Sequence, residues 1–120
     1  MEKGIRTNVL YLEDIQTSMK RIAEYIKGYD YKKFRKDNKT VDAVVRNFEI
    51  IGEASKNLSD QLRKQNPEIP WNEMYYLRNR VMHEYFGVDY EIIWDIATNY
   101  LPGNKVLIDQ IIEKLRSSEK

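Results

Sequence analysis

The sequence predicts an all-α fold, a single-domain antiparallel bundle of about five helices. Three observations carry that expectation. Apolar residues recur at three- and four-residue steps over most of the chain, no stretch has the strict alternation of a half-buried strand, and Gly28, Gly87 and the "NPEIPW" stretch punctuate the periodic segments. At 120 residues the chain has the size of one domain. Apolar residues at 42% with aromatics at 12% supply a core, and 32% charged residues supply a solvated surface.

The elements follow in order. Leu12, Ile15, Met19, Ile22 and Ile26 mark an amphipathic helix from Asn8 to Lys27, stopped by Gly28. Gly28 to Lys39 has no clean period and reads as a loop with at most a helical turn, and Thr40 with Asp42 suits the start of a second helix. There Val41, Val44, Phe48, Ile51, Ser55, Leu58 and Leu62 form a seam, which Ala43, Val45, Ile50, Gly52 and Ala54 widen beyond half the circumference. Such an arc belongs either to a central bundle helix or to a dimer interface. Asn47 falls inside it, as a hydrogen-bonded core amide or a support for something nearby. Asp42, Arg46, Glu49, Glu53, Lys56, Asp60 and Arg63 form the opposite, solvent-facing stripe.

The prolines of "NPEIPW" break the pattern, so a third helix is expected from near Pro70 to Gly87, with Trp71, Met74, Leu77, Val81 and Met82 inward. Asp89 caps a fourth helix with Ile92, Ile93, Ile96 and Tyr100 as its apolar face. Pro102 suits the first turn of a fifth, which carries Val106, Ile108, Ile111, Ile112 and Leu115.

Composition removes several functions. With no cysteine there is no disulfide framework, thiolate zinc site or cysteine nucleophile. One histidine cannot make a zincin or a di-iron bundle, and none of the five glycines lies within three residues of another, as a phosphate loop requires. No metal and no cofactor are expected. No apolar run approaches the roughly 18 residues of a membrane span. "MEKGIRTNVLYLED" lacks a signal-peptide core, so a cytoplasmic protein without membrane contact is expected. The "DNKTVDAVVRNFEIIGEA" stretch makes a poor helix-turn-helix, because its turn lacks glycine and its second helix is too apolar.

Net charge is +1, so nucleic-acid binding must rest on local clustering. Lys20 to Lys39 carries eight Lys and Arg against three Asp and Glu, interleaved with Tyr25, Tyr29, Tyr31 and Phe34, a mixture that suits phosphates and unstacked bases. Lys32, Lys33 and Arg35 there, with Arg80 further on, are the candidate RNA contacts. The plainer reading is a solvated helix end followed by a loop.

The chemistry-bearing segment is "LRNRVMHEYFGVDY", Leu77 to Tyr90, with Arg78, Asn79, His83 and Tyr85. An imidazole of ordinary pKa near 6.5 can take and return a proton at neutral pH, and a guanidinium binds phosphate oxygens bidentately. Together they suit phosphodiester cleavage without a metal. On an ideal helix, however, five residues place His83 about 140° from Arg78, whereas Asn79 shares a face with His83, and Arg78 with Tyr85. Either the helix distorts near His83, or a second copy of the chain completes the site, which favours a homodimer. A lone histidine at a helix end also has the ordinary reading of a capping or packing residue, and Tyr75, Tyr76, Tyr85 and Phe86 that of aromatic packing.

These residues resemble the HepT-like proteins of the HEPN superfamily. The family motif R-x-x-x-x-H-x-Y matches Arg78, His83 and Tyr85, and "YLEDI", "DAVVRNFEIIGEASKNL", "PEIPW" and "IWDIATNYLP" follow the family's order over nearly the whole chain. The resemblance implies an HEPN-like helical homodimer acting as a metal-independent endoribonuclease, the toxin of a toxin–antitoxin pair, with Arg78 and His83 catalytic and Asn79 and Tyr85 supporting. It implies a partner as well, an MntA-like nucleotidyltransferase antitoxin that transfers AMP to Tyr85. Glu84 stands where glycine is common in relatives, and a carboxylate there would repel phosphate or raise the histidine pKa. The alternative is a non-catalytic helical module that docks the nucleotidyltransferase.

Overall fold

The computed structural model describes residues 3–77, 82–83 and 87–118. Three long helices frame it, α1 (Lys3–Tyr25) with α3 (Asn38–Lys56) and α7 (Leu101–Ser117) each antiparallel to it. The directions are set by side-chain bonds. Asn8 at the start of α1 bonds Ser59 beyond the end of α3, with Asn8 Nδ2 donating to Ser59 Oγ and Ser59 N donating to Asn8 Oδ1, both at 3.0 Å. On the other side Gln16 donates to Asp109 at 2.7 Å and Arg116 to Glu13 at 2.6 Å, so α7 runs back along α1.

The first helix is as the periodicity predicts, with Leu12, Ile15, Met19 and Ile22 buried. It starts earlier, at Lys3, and Gly28 leaves it with φ +81°, a conformation that a side chain would strain. The segment expected as a loop is helical from Tyr31 to Lys36 (α2). Asp30 caps it by accepting from Lys33 N at 2.8 Å. Only Phe34 of α2 is buried, and a helix with one inward residue shows no period in its sequence.

Asp37, rather than Thr40 or Asp42, caps α3, accepting from Thr40 N at 3.1 Å. Val41, Val44, Val45, Asn47, Phe48, Ile51, Gly52, Ala54 and Ser55 are all buried. α3 packs chiefly on α1, and also on α5 and α2. Most of the nonpolar arc is therefore covered within one chain, as in a central bundle helix, while Ala43 and Ile50 at its edges stay half-buried. The helix also stops at Asn57 rather than running through Leu62. Ser59 caps a separate α4 (Asp60–Gln65), accepting from Leu62 N at 3.2 Å, while Leu58 and Leu62 stay buried.

After α4 the Trp71 indole N–H donates to the carbonyl of Asn66 at 2.9 Å, closing the proline-rich turn onto the start of α5 (Trp71–Tyr75). Two-residue strands follow, β1 (Met82–His83) and β2 (Gly87–Val88), paired antiparallel with Met82 opposite Val88 and His83 opposite Gly87. Next come α6 (Tyr90–Asp95) and one π-helical turn (Ile96–Tyr100), which leads directly into α7 with Pro102 in its first turn. Ile93, Ile96, Ile108, Ile111 and Ile112 join the core. Tyr100 and Val106, expected inward, are 57% and 55% exposed. The π turn accounts for Tyr100, since one added residue rotates the following face by about 100°. No described helix is long and apolar enough to cross a membrane.

Candidate active site

The third helix does not run unbroken from Pro70 to Gly87: a turn at Tyr76 interrupts it, and Leu77 is helical again. α5 ends at Tyr75, and His83 has strand backbone paired to Gly87 instead of lying at a helix end. The 140° helical separation of Arg78 and His83, and the shared helical face of Asn79 and His83, therefore do not apply. Local chemistry suits the second strand: Val88 favours extended backbone, and Gly87 weakens a helix. Arg78, Asn79, Arg80, Val81, Glu84, Tyr85 and Phe86 lie outside the described residues, as does the side chain of His83.

Both flanks of the motif are anchored. Upstream, Trp71, Met74 and Leu77 are buried, and Leu77 directly precedes Arg78. α5 lies so close to α3 that a Cβ on Gly52 would stand 3.0 Å from the Tyr75 carbonyl oxygen. Downstream, Asp89 caps α6 by accepting from Ile92 N at 3.1 Å, and Ile93 is fully buried. The motif thus spans two fixed points, α5 on α3 and α6 in the core.

Three further features lie around these anchors. Asn47, on α3, is buried; its Nδ2 donates to Ala43 O at 2.9 Å, whereas its Oδ1 has no hydrogen-bond partner among the described residues. A cleft of about 180 Å³ opens beside Leu77, floored by Met74, Ile96 and Leu101 and rimmed by Glu73, Asp95, Tyr100 and Asn104. Helical periodicity missed that rim, because the π turn brings Tyr100 off the buried face. Among the described residues no group of three or more His, Asp or Glu side chains is placed to hold a metal ion.

The third feature is α2, whose Lys32, Lys33, Arg35 and Lys36 are exposed. Lys33 Nζ stands 4.2 Å from the ring centroid of Tyr29, and the Arg35 guanidinium 5.9 Å from that of Tyr31. Tyr29 donates its hydroxyl to Asp37 at 2.6 Å, and Thr40 Oγ1 donates to the same carboxylate at 2.8 Å. The Tyr29 bond foremost, then those from Thr40, lower the Asp37 pKa from 3.8 to about 2.

An all-α bundle with a histidine and an arginine between two anchored helices defines a class of small helical proteins, and comparison with known proteins narrows it. The Ribonuclease HepT-like family matches residues 15–111, which include Arg78, His83 and Tyr85. A Methanocaldococcus jannaschii protein named as a candidate RNase is 40% identical over 110 residues, 92% of this chain and 91% of that protein. A candidate ribonuclease HepT of Thermococcus cleftensis is 41% identical over 100 residues, 83% of this chain and 91% of its own. A candidate RNase of Caldanaerobacter subterraneus subsp. tengcongensis is 38% identical over 104 residues, 87% and 93% of the two chains. No solved structure matches the chain significantly. The chain belongs to the HepT-like ribonuclease family of the HEPN superfamily.

Proposed function

We propose that this chain is a metal-independent endoribonuclease, acting in the cytoplasm as one domain over residues 1–120 and as the toxin of a type VII-like HEPN and nucleotidyltransferase pair. The observation that carries the reading is the family match over residues 15–111 with Arg78, His83 and Tyr85 at the motif spacing inside it. In this mechanism neutral His83 takes the proton of an RNA 2′-hydroxyl. The 2′ oxygen attacks the adjacent phosphorus, its bond forms as the bond to the 5′ oxygen breaks, and the imidazolium returns its proton to the departing oxygen. Arg78 stabilises the charge that develops on the phosphoryl oxygens, and Asn79 and Tyr85 support the pair.

Two copies of the motif border one cleft in a homodimer, which doubles the positive charge facing the substrate. Because most of the α3 arc is covered within its own chain, the dimer rests on the family resemblance and the motif. An MntA-like nucleotidyltransferase silences the toxin by transferring AMP from ATP to the Tyr85 hydroxyl oxygen, with loss of its proton and release of pyrophosphate, since a bulky anionic group at the cleft excludes anionic RNA.

The test is RNA cleavage in EDTA by the wild type and by His83→Ala, matched for folding and dimerisation. Cleavage by the wild type alone supports the reading, and equal cleavage by the variant sinks it. A second reading is favoured by Glu84, the carboxylate between His83 and Tyr85: a non-catalytic module that docks the nucleotidyltransferase. Retained partner affinity with no cleavage of any RNA by unmodified protein, checked by intact mass, selects that reading.

A further inference from the structure

Charge is segregated in this chain. Lys20 to Lys39, with eight basic residues against three acidic, has a net charge of +5 in a chain whose total is +1, so all the rest together carries −4. α2 concentrates the excess. Lys32, Lys33, Arg35 and Lys36 crowd into six residues, about 9 Å of helix axis, with no acidic residue among them. None of the four forms an ion pair with a described residue, and only the Asp30 and Asp37 carboxylates at the two ends of α2, the second attracted to Lys33, offset their mutual repulsion. Holding them is the work of Phe34, fully buried with its ring centroid 5.1 Å from that of Trp94, and of the Asp30 cap.

The aromatic rings decide what such a surface can read. Tyr29 has Lys33 over its ring and its hydroxyl committed to Asp37. Tyr31 is approached by Arg35 and lies 6.5 Å from Trp94, and Phe34 is buried. On α2 and its approach Tyr29 and Tyr31 thus steady cations, and the exposed ring of the basic segment, Tyr25, lies off α2 at the end of α1. What remains accessible is positive charge at fixed spacing, which suits a row of phosphates and carries no base readout. A lipid surface is a poorer fit, because none of the exposed large apolar residues, Leu10, Tyr25, Tyr75, Tyr76, Tyr100 and Val106, lies on α2 to insert.

Position links this face to the motif. α2 packs on α6 through Trp94, and α6 begins at Tyr90, two residues after the strand paired with His83. We propose that the exposed face of α2 is a sequence-independent docking surface for the phosphate backbone of single-stranded RNA, the strand that the candidate active site cuts. The inference rests on the ribonuclease reading for the identity of the strand. It adds that this face sets KM and leaves kcat alone.

The experiment compares Lys32→Gln/Lys33→Gln/Arg35→Gln/Lys36→Gln with a control of equal charge change elsewhere, Arg6→Gln/Lys56→Gln/Lys64→Gln/Lys114→Gln, both in the full chain and matched for helicity. Binding of labelled oligouridylate and oligoadenylate is followed against salt in the His83→Ala background, which removes cleavage from the readout. The α2 variant is expected to bind both oligonucleotides at least about tenfold more weakly, with the log–log salt slope shallower by about 2 to 3, at roughly 0.7 per phosphate contact. With His83 intact, it raises KM at least about tenfold and leaves kcat within about twofold.

Unchanged affinity and slope, or an equal loss in the control, overturns the proposal. So does a variant that loses only binding to phosphatidylserine vesicles or to an acidic protein. If RNA docks on α2 and the wild type cuts nothing, the surface stands and the ribonuclease reading falls. If the wild type cuts and KM is unmoved in the α2 variant, the ribonuclease reading stands and the surface falls.

Discussion

Gly52 of α3 and Tyr75 of α5 meet backbone to backbone: a Cβ on Gly52 would stand 3.0 Å from the Tyr75 carbonyl oxygen and 3.4 Å from that of Met74. Gly52 does not have a positive φ, so glycine is needed here for the approach and not for its conformational freedom. The contact sets how α5 lies on α3 just before Arg78.

Gly52→Ala tests that contact. Alanine gains up to about 1 kcal/mol of helix propensity, but pushing the α5 backbone away costs about 1 to 3 kcal/mol. The expected net is a loss of about 1 kcal/mol in urea unfolding. Under the proposed function RNA cleavage falls by more than that loss of folded protein accounts for. A more stable variant with full cleavage would show that α5 tolerates the shift.

Asn8→Ala removes both bonds between the buried Asn8 amide and Ser59, which is itself exposed and keeps its cap bond from Leu62 N. The expected cost is about 2 kcal/mol, from two neutral hydrogen bonds near a helix cap. It should appear as a lower urea midpoint with the slope unchanged.

Phe34→Ala unlatches α2. Phe34 is fully buried and packs against Trp94, so truncation costs about 3 to 5 kcal/mol. Hydrogen exchange at α2 amides should quicken more than at α1 and α3, because Phe34 is the only buried residue of α2. Uniform quickening would mean that α2 opens only with the whole fold.

Asp37 gives a pH signature. Its carboxyl, held by Tyr29 first and by Thr40, has a folded pKa of about 2 against 3.8 when free. A depressed carboxylate pKa stabilises the fold above the free value, and that contribution is lost as pH falls through the folded one. The stability gap between the wild type and Asp37→Asn should be constant above about pH 5, narrow from near pH 4 and close towards pH 2. A gap independent of pH across that window would mean that the charge of Asp37 contributes nothing.

How far the chain could be read depended on length. Leu12 to Ile22 in α1 and Ile108 to Ile112 in α7 repeat often enough for their period to show, and these residues are buried as expected. α2 offers one inward residue, Phe34, too few for any period. The end of α3 was hidden in another way: Leu58 and Leu62 continue the apolar seam although the helix stops, and the local signal was the polar Asn57 and the Ser59 cap. In the candidate site, Arg78, His83 and Tyr85 were legible as chemistry and as a family motif. The strand backbone of His83 was not, because a two-residue ladder leaves no pattern in sequence.

By itself the sequence determined the all-α class, the seams of the long helices, the family and the residues able to move a proton and bind phosphate. Those properties are local or periodic, written in side-chain type and spacing. The tertiary structure decided that most of the α3 arc is covered within its own chain, that α5 packs backbone to backbone on α3, and that Tyr29 and Tyr31 of the basic segment carry cations. Each of those depends on which distant groups come to lie against one another, as Tyr75 does on Gly52 and Trp94 on Phe34. Packing between residues far apart in the chain settles such contacts, and no local pattern encodes them.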